Sequence, residues 1–173
     1  MLSISRVFLV PIVMVFLTMR TQFGFIEGVN IGDLLAGLVF IIASLTDAAD
    51  GYIARKHGMV TNLGKFIDPL ADKIMVVAAL VALVELHRVP AWMVVIIIAR
   101  EFIVTGLRMI AASEGVVIAA SSGGKLKTVS QIVGISLLIF NIPGGMLVMW
   151  LAMFLTLWSG MDYLMKSRSL LEK

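Results

Sequence analysis

Four aspartates set into an apolar stretch carry the clearest chemical signal in this chain. Asp47 and Asp50 are followed by Gly51, Ala54 and Arg55, and after eight further residues by Gly64, Asp68 and Asp72. Asp47, Asp50, Gly51 and Ala54 are spaced i, i+3, i+4, i+7, which is one stripe of a helix. Gly64, Asp68 and Asp72 are spaced i, i+4, i+8 and stack along one face of the next. The link at 57–63 is short, so the two helices are expected as antiparallel neighbours with their carboxylates facing each other. An ionised Asp at membrane depth costs roughly 2.5–3.5 kcal/mol on insertion scales. Two carboxylates 4 Å apart repel by about 4 kcal/mol at an effective dielectric of 20. Such a cluster calls for cations. Oxygen-only ligands suit hard ions, Mg²⁺ or Mn²⁺, and two of them could share these acids and clamp a phosphate.

Gly51, Ala54 and Gly64 leave shallow space beside the acids for a ligand to approach the backbone, and Arg55 offers a guanidinium to a phosphate. Pro69 disfavours helical geometry at Asp68. Either the third helix begins only near Asp68 or it is kinked there. Gly37 and Ala43 read as helix-packing residues.

The elements that must hold these groups are membrane helices. The chain has 173 residues, of which 60% are hydrophobic and 14% charged, with mean hydropathy +1.05. Soluble domains carry about 25% charged residues. Apolar runs at 7–19, 34–45, 74–86, 91–102, 132–142 and 146–157 predict six helices, roughly 4–20, 31–55, 66–87, 90–112, 126–142 and 145–166. The first contains Pro11 and is short for a span. Ser121, Ser122, Gly123 and Gly124 signal a loop before the fifth. The reading is an all-α integral membrane protein with six transmembrane helices in one domain, 1–173. The N-terminus makes a poor cleavable signal peptide, and the lack of Cys leaves the redox compartment open.

With six helices both termini share one side. Arg6, Arg55, Lys56, Lys65, Lys125, Lys127, Lys166, Arg168 and Lys173 fall there, against Arg20 and Arg88 opposite. The positive-inside rule makes the basic side cytoplasmic. That puts the acids at the cytoplasmic side of a cell or inner membrane. The net charge of +3 is mild, and its asymmetry suits anionic lipid or phosphorylated substrates. Nucleic-acid binding is excluded for want of a soluble basic domain.

A second cluster lies further on. Arg100 and Arg108 are about 80° apart on an ideal helix, and Lys125 and Lys127 enter at the cytoplasmic start of the fifth helix. Together they suit a phosphate monoester. Glu101 lies close to the Arg108 direction and is placed to orient it. Lys125 and Lys127 also read as an ordinary positive-inside flank. His57 and His87 read as solvated loop residues, and Trp92, Trp150 and Trp158 as interfacial anchors.

The spacing Asp47-x2-Asp50-Gly51-x2-Ala54-Arg55-x8-Gly64-x3-Asp68-x3-Asp72 resembles the signature of the CDP-alcohol phosphatidyltransferases at all eight fixed positions. That resemblance implies a six-helix membrane enzyme, commonly a homodimer, which displaces CMP from a CDP-linked donor with an alcohol and uses divalent metal. It implies that Asp47, Asp50 and Asp68 hold metal, that Asp72 is ligand or general base, and that Asp50, Gly51, Ala54, Arg55 and Gly64 line the cytidine diphosphate site. Ala99 to Phe102, Gly106 to Arg108, Gly124 to Thr128, Gln131 and the opening Leu2 to Arg6 with Pro11 are similar to the phosphatidylglycerophosphate synthase branch. That branch takes CDP-diacylglycerol and sn-glycerol 3-phosphate. Ser3, Arg6, Glu101, Thr128 and Gln131 would support its site. Ser3 stands where the family usually has Thr, and an Asn expected a few residues earlier has no counterpart; weaker metal or donor binding would follow. Acceptors such as inositol phosphate, serine or phosphatidylglycerol are the alternatives within the family. A divalent-cation transporter is the alternative outside it, although transporters place such sites near the bilayer midplane.

Overall fold

The computed structural model describes residues 2–26, 28–57, 64–113 and 122–171, with side chains described over 8–26, 28–46, 73–112 and 123–165. Six α-helices dominate these residues: α1 Leu2–Thr18, α2 Ile31–His57, α3 Gly64–Glu85, α4 Ala91–Ser113, α5 Ser122–Ile139 and α6 Gly145–Leu171. Between α1 and α2 lie a 3₁₀ turn, Arg20–Gln22, and two short antiparallel strands, β1 Phe25–Ile26 and β2 Val29–Asn30. The six helices predicted from the apolar runs are all present. Most boundaries shift by one to five residues, the largest being the end of α6 at Leu171, and two shifts bear on the site. α3 is already helical at Gly64, ahead of Asp68 and Pro69. α5 starts at Ser122, so Gly123 and Gly124 are its first turn rather than a loop. The first four N–H groups of a helix have no intrahelical acceptor anyway, so glycines are tolerated there. A Cβ on Gly123 would sit 3.6 Å from Ser159 Cβ, in contact with α6.

α5 and α6 form the most extensive helix pair, α1 packs on both α2 and α3, and α4 packs on α6. Val13, Leu17, Phe40, Leu80, Leu83, Met93, Ile97, Ile135, Ile139 and Met149 are fully buried between them. Glycine is demanded at the start of α2, where a Cβ on Gly32 would lie 2.6 Å from the Phe16 carbonyl oxygen and 2.7 Å from Arg20 Cα; a Cβ on Gly37 would lie 2.4 Å from the Phe140 ring, which would have to give way. Large apolar side chains also cover the outside. Phe8, Ile42, Leu45, Val95, Leu147, Phe154, Trp158 and Met165 are all exposed. Among the described residues, Gly145–Met165 is long and apolar enough to cross a membrane, with mean hydropathy 1.4; Phe8–Thr18 and Ile31–Thr46 are shorter apolar helices.

One end of the bundle is fastened by charge. The Asn30 side-chain oxygen caps α2, accepting from the Gly32 N–H at 2.9 Å and the Asp33 N–H at 3.3 Å. Asp33, in the first turn, accepts from Arg88 Nη2 at 2.6 Å and Arg20 Nη1 at 3.0 Å. Arg88 Nη1 also donates to the carbonyls of Leu138 and Ile139 at 3.0 and 2.7 Å, at the C-terminus of α5. One buried carboxylate thus ties the start of α2 to the α3–α4 turn, and through Arg88 to the end of α5. The Ile139 carbonyl at the end of α5 gains a donor in this arrangement, and that of Leu138 a second one beside the Asn141 N–H.

Candidate active site

α2 carries Asp47, Asp50, Gly51, Ala54 and Arg55 on helical backbone, and α3 carries Gly64, Asp68 and Asp72 likewise. Their side chains lie outside those described, as do those of Ser3 and Arg6. Among the described residues no group of three or more His, Asp or Glu side chains forms a metal cluster.

The site beside these segments is described. A cavity of about 240 Å³ opens between four helices. α2 contributes Ala43 and Ser44, α3 Lys73, α4 Glu101, and α5 Lys127, Thr128 and Gln131 to its wall. Ser44 precedes Asp47 by three residues and Lys73 directly follows Asp72. The cavity therefore adjoins the aspartate-bearing parts of both helices along the chain.

Its polar wall is an ionic network centred on Glu101. Lys127 is buried and donates to Glu101 Oε1. Lys73 Nζ lies 3.9 Å from Glu101 Oε2, and Arg100 Nη1 lies 3.5 Å from Oε1. A buried ammonium is tolerated only with such a partner. The hydroxyls of the wall are turned back on their own helices: Ser44 Oγ donates to the Phe40 carbonyl at 2.8 Å, and Thr128 Oγ1 to that of Gly124 at 3.0 Å. Gln131 is 3% exposed, and its Nε2 has no hydrogen-bond partner among the described residues.

The four cations expected in one phosphate pocket are divided. Lys127 faces the cavity and Lys125 is exposed at the start of α5. Arg100 and Arg108 instead converge on Tyr163 of α6, their guanidinium carbons 5.9 and 4.8 Å from its ring centroid. Arg100 Nε donates to the Thr156 carbonyl at 3.0 Å and Nη2 to Ser159 Oγ at 2.7 Å. Arg108 Nη2 donates to Tyr163 Oη, while its buried Nε has no partner among the described residues. Glu101 bridges the two groups by contacting both Arg100 and Lys127, rather than orienting Arg108 as its helical angle suggested.

Sequence reasoning missed Lys73, Ser159 and Tyr163. A basic residue immediately after the last Asp of the cluster, inside an apolar helix, was a usable signal for Lys73. Tyr163 beside Asp162 in the apolar last helix was a weaker one.

An apolar groove of about 560 Å³ lies between α2 and α5, lined by Ile41, Leu45, Val129, Val133 and Phe140 among others. It shares Ser44 and Ile132 with the first cavity, whose wall is polar at Lys73, Glu101, Lys127 and Gln131 and apolar at Met75, Val76, Leu80 and Ile97, so the two spaces meet at one wall.

Residues 1–158 match the family model described as CDP-alcohol phosphatidyltransferase. The chain is 44% identical over 178 residues to the CDP-diacylglycerol–glycerol-3-phosphate 3-phosphatidyltransferase of Bacillus subtilis (strain 168), covering 96% of this chain and 92% of that protein. The enzyme of the same name from Rickettsia typhi is 34% identical, with 94% and 92% covered. A probable phosphatidylglycerophosphate synthase of Mycobacterium tuberculosis (strain ATCC 25618 / H37Rv) is 41% identical over 78% of this chain and 66% of its own length. The chain belongs to the CDP-alcohol phosphatidyltransferase family.

Proposed function

We propose that this protein transfers the phosphatidyl group of CDP-diacylglycerol to sn-glycerol 3-phosphate, giving phosphatidylglycerophosphate and CMP in phospholipid synthesis. It does so at the cytoplasmic side of a cell membrane that it crosses six times, as a homodimer. The observation that carries the reading is the cavity built on the two signature helices, with a buried ammonium–carboxylate network on one side and an apolar trough opening from it. A polar phosphorylated acceptor and a lipid donor need such adjoining polar and apolar spaces.

The membrane placement is supported by helix length and surface. α3, α4 and α6 have 22, 23 and 27 residues, or about 33–40 Å at 1.5 Å per residue, against a hydrocarbon core of about 30 Å. Their exposed faces are largely apolar, and Lys73 of α3, Glu101 of α4 and Lys127 of α5 turn inward to the cavity. That is the arrangement intramembrane charges require.

In the reaction, Asp72 takes the proton of the acceptor's primary hydroxyl. The hydroxyl oxygen attacks the phosphorus bearing diacylglycerol, and the bond from that phosphorus to the CMP oxygen breaks. Arg55, with Gly51, Ala54 and Gly64, binds the cytidine diphosphate. Lys127, Lys125, Arg108 and Arg100 supply positive charge for the acceptor's phosphate. Ser3, Arg6 and Thr128 support the site from its margins. The α2–α5 groove takes an acyl chain. The carboxylates of Asp47, Asp50, Asp68 and Asp72 are a hard-oxygen donor set that fits two Mg²⁺ or Mn²⁺ ions. When bound, these ions neutralise the diphosphate and the charge developing on CMP.

The test is CMP release by purified protein with and without chelator, alongside Asp47→Asn, Asp68→Asn and Asp72→Asn. Each variant should lose turnover while remaining folded, because it removes a ligand charge at nearly constant volume. Near-normal turnover of any one at saturating Mg²⁺ contradicts its role.

A further inference from the structure

Gln131 stands apart from the other polar groups of the cavity wall. Ser44 and Thr128 spend their hydroxyl protons on their own helices, and Lys127 is paired with Glu101. The Gln131 carboxamide is nearly as buried as the hydrophobic core, yet its Nε2 has no partner among the described residues. Buried amide donors are almost always satisfied, and because Gln131 lines the cavity, an occupant there completes the donor once the carboxamide turns toward it.

The position indicates what that occupant offers. Lys127 and Gln131 are one turn apart on α5, and residues so spaced have Cβ atoms about 5–6 Å apart on one face. Resting on the reading that the acceptor is glycerol 3-phosphate, a phosphate held at Lys127 places the neighbouring secondary hydroxyl one turn along, toward Gln131. A hydroxyl both donates and accepts, and a carboxamide does the same, so the pair is complementary at either end of the amide. The cations of the wall read charge alone and cannot tell a three-carbon phosphate that bears this hydroxyl from one that lacks it.

We propose that Gln131 is the specificity-determining residue that recognises the secondary hydroxyl of the acceptor. It discriminates glycerol 3-phosphate from phosphomonoesters with the same chain length, phosphate and primary hydroxyl but no hydroxyl between them.

The experiment compares sn-glycerol 3-phosphate with 3-hydroxypropyl phosphate as acceptors for the purified full-length protein in mixed micelles with CDP-diacylglycerol. Wild type should favour glycerol 3-phosphate in kcat/KM by about tenfold to a hundredfold, the range set by one buried hydrogen bond. In Gln131→Leu and in the unbranched Gln131→Met, kcat/KM for glycerol 3-phosphate should fall by that factor. The ratio between the two acceptors should collapse towards one, and the KM for CDP-diacylglycerol should not move. A merely structural role would slow both acceptors equally and preserve the ratio, which overturns the proposal. Equal use of the two acceptors by wild type overturns it too, without reference to any variant. If wild type turns over serine or inositol phosphate but not glycerol 3-phosphate, the acceptor assignment itself has failed and the proposal falls with it. A preserved ratio alongside good glycerol 3-phosphate turnover sinks the role of Gln131 alone.

Discussion

Glu101→Gln removes the centre of the ionic network while keeping its shape. Lys127 has 5% of its side chain exposed and Glu101 has 15%. Among the described residues, Glu101 is the carboxylate paired with Lys127, so the variant leaves a buried ammonium uncompensated. Lys73, 3.9 Å from the other carboxylate oxygen, loses its share of the interaction as well. Two unit charges at that distance attract by about 4 kcal/mol at an effective dielectric of 20, and desolvation offsets much of this. Removing one partner of a buried pair costs about 3–5 kcal/mol. Lys127→Met should cost less, about 1.5–3 kcal/mol, because Glu101 keeps Lys73 and Arg100 beside it. The double variant should cost less than the sum by at least about 1 kcal/mol, since it leaves no orphan charge. The assay is thermal unfolding in detergent, where about 1 kcal/mol moves Tm by roughly 2–4 °C in a chain of this size. Glu101→Gln should therefore unfold roughly 6–20 °C below wild type. Saturating glycerol 3-phosphate should restore part of that loss, because its phosphate substitutes for the missing carboxylate; about 2.7 kcal/mol is available at a hundred times Kd. A Tm within about 2 °C of wild type, or strict additivity in the double variant, would refute the network.

Asp33→Asn should destabilise the protein by about 3 kcal/mol, the low end because Arg88 keeps two carbonyl acceptors on α5. It should leave kcat/KM of the folded enzyme unchanged, since Asp33 is about 16 Å along α2 from Ser44 at 1.5 Å per residue. In acceptor and donor titrations, Arg108→Ala should raise the KM for glycerol 3-phosphate roughly tenfold to a hundredfold with little change for CDP-diacylglycerol. Arg55→Ala should show the reverse. Single cysteines at Lys125 and Pro143 should react with impermeant thiol reagent from opposite sides of the membrane, and His87 and Pro143 from the same side. Any other pairing contradicts six crossings.

The number and order of the helices were legible because a membrane span needs an apolar run of about 20 residues and polar residues punctuate the ends. The aspartate signature was legible through the 3.6-residue period: fixed spacings become faces once the backbone is helical, as α2 and α3 are through those positions. Tertiary pairing was not legible. Glu101 has a helical direction close to Arg108, yet it meets Lys127, 26 residues away, because α4 packs where α5 supplies the buried ammonium. Arg20 and Arg88 read as a sparse non-cytoplasmic flank. Their joint hold on Asp33 depends on a turn and a helix start brought together over 55 residues of chain. Lys73 carried a local signal, a basic residue directly after the last Asp, but its approach to Glu101 on α4 is tertiary. The glycines opening α5 were read as a loop because glycine's intrinsic preference was weighed without its contact to α6.

The central claim is the identity of the transferred group and its acceptor. The most direct measurement incubates the purified protein with labelled CDP-diacylglycerol and Mg²⁺ and offers glycerol 3-phosphate, glycerol, serine, inositol phosphate and phosphatidylglycerol in parallel. The lipid product and the released CMP are then quantified together. Phosphatidylglycerophosphate and CMP should appear in equal amounts with glycerol 3-phosphate. Plain glycerol should be a very poor substrate because it leaves the cations of the pocket without a phosphate. Faster turnover of another acceptor, or no CMP release with glycerol 3-phosphate, would contradict the account.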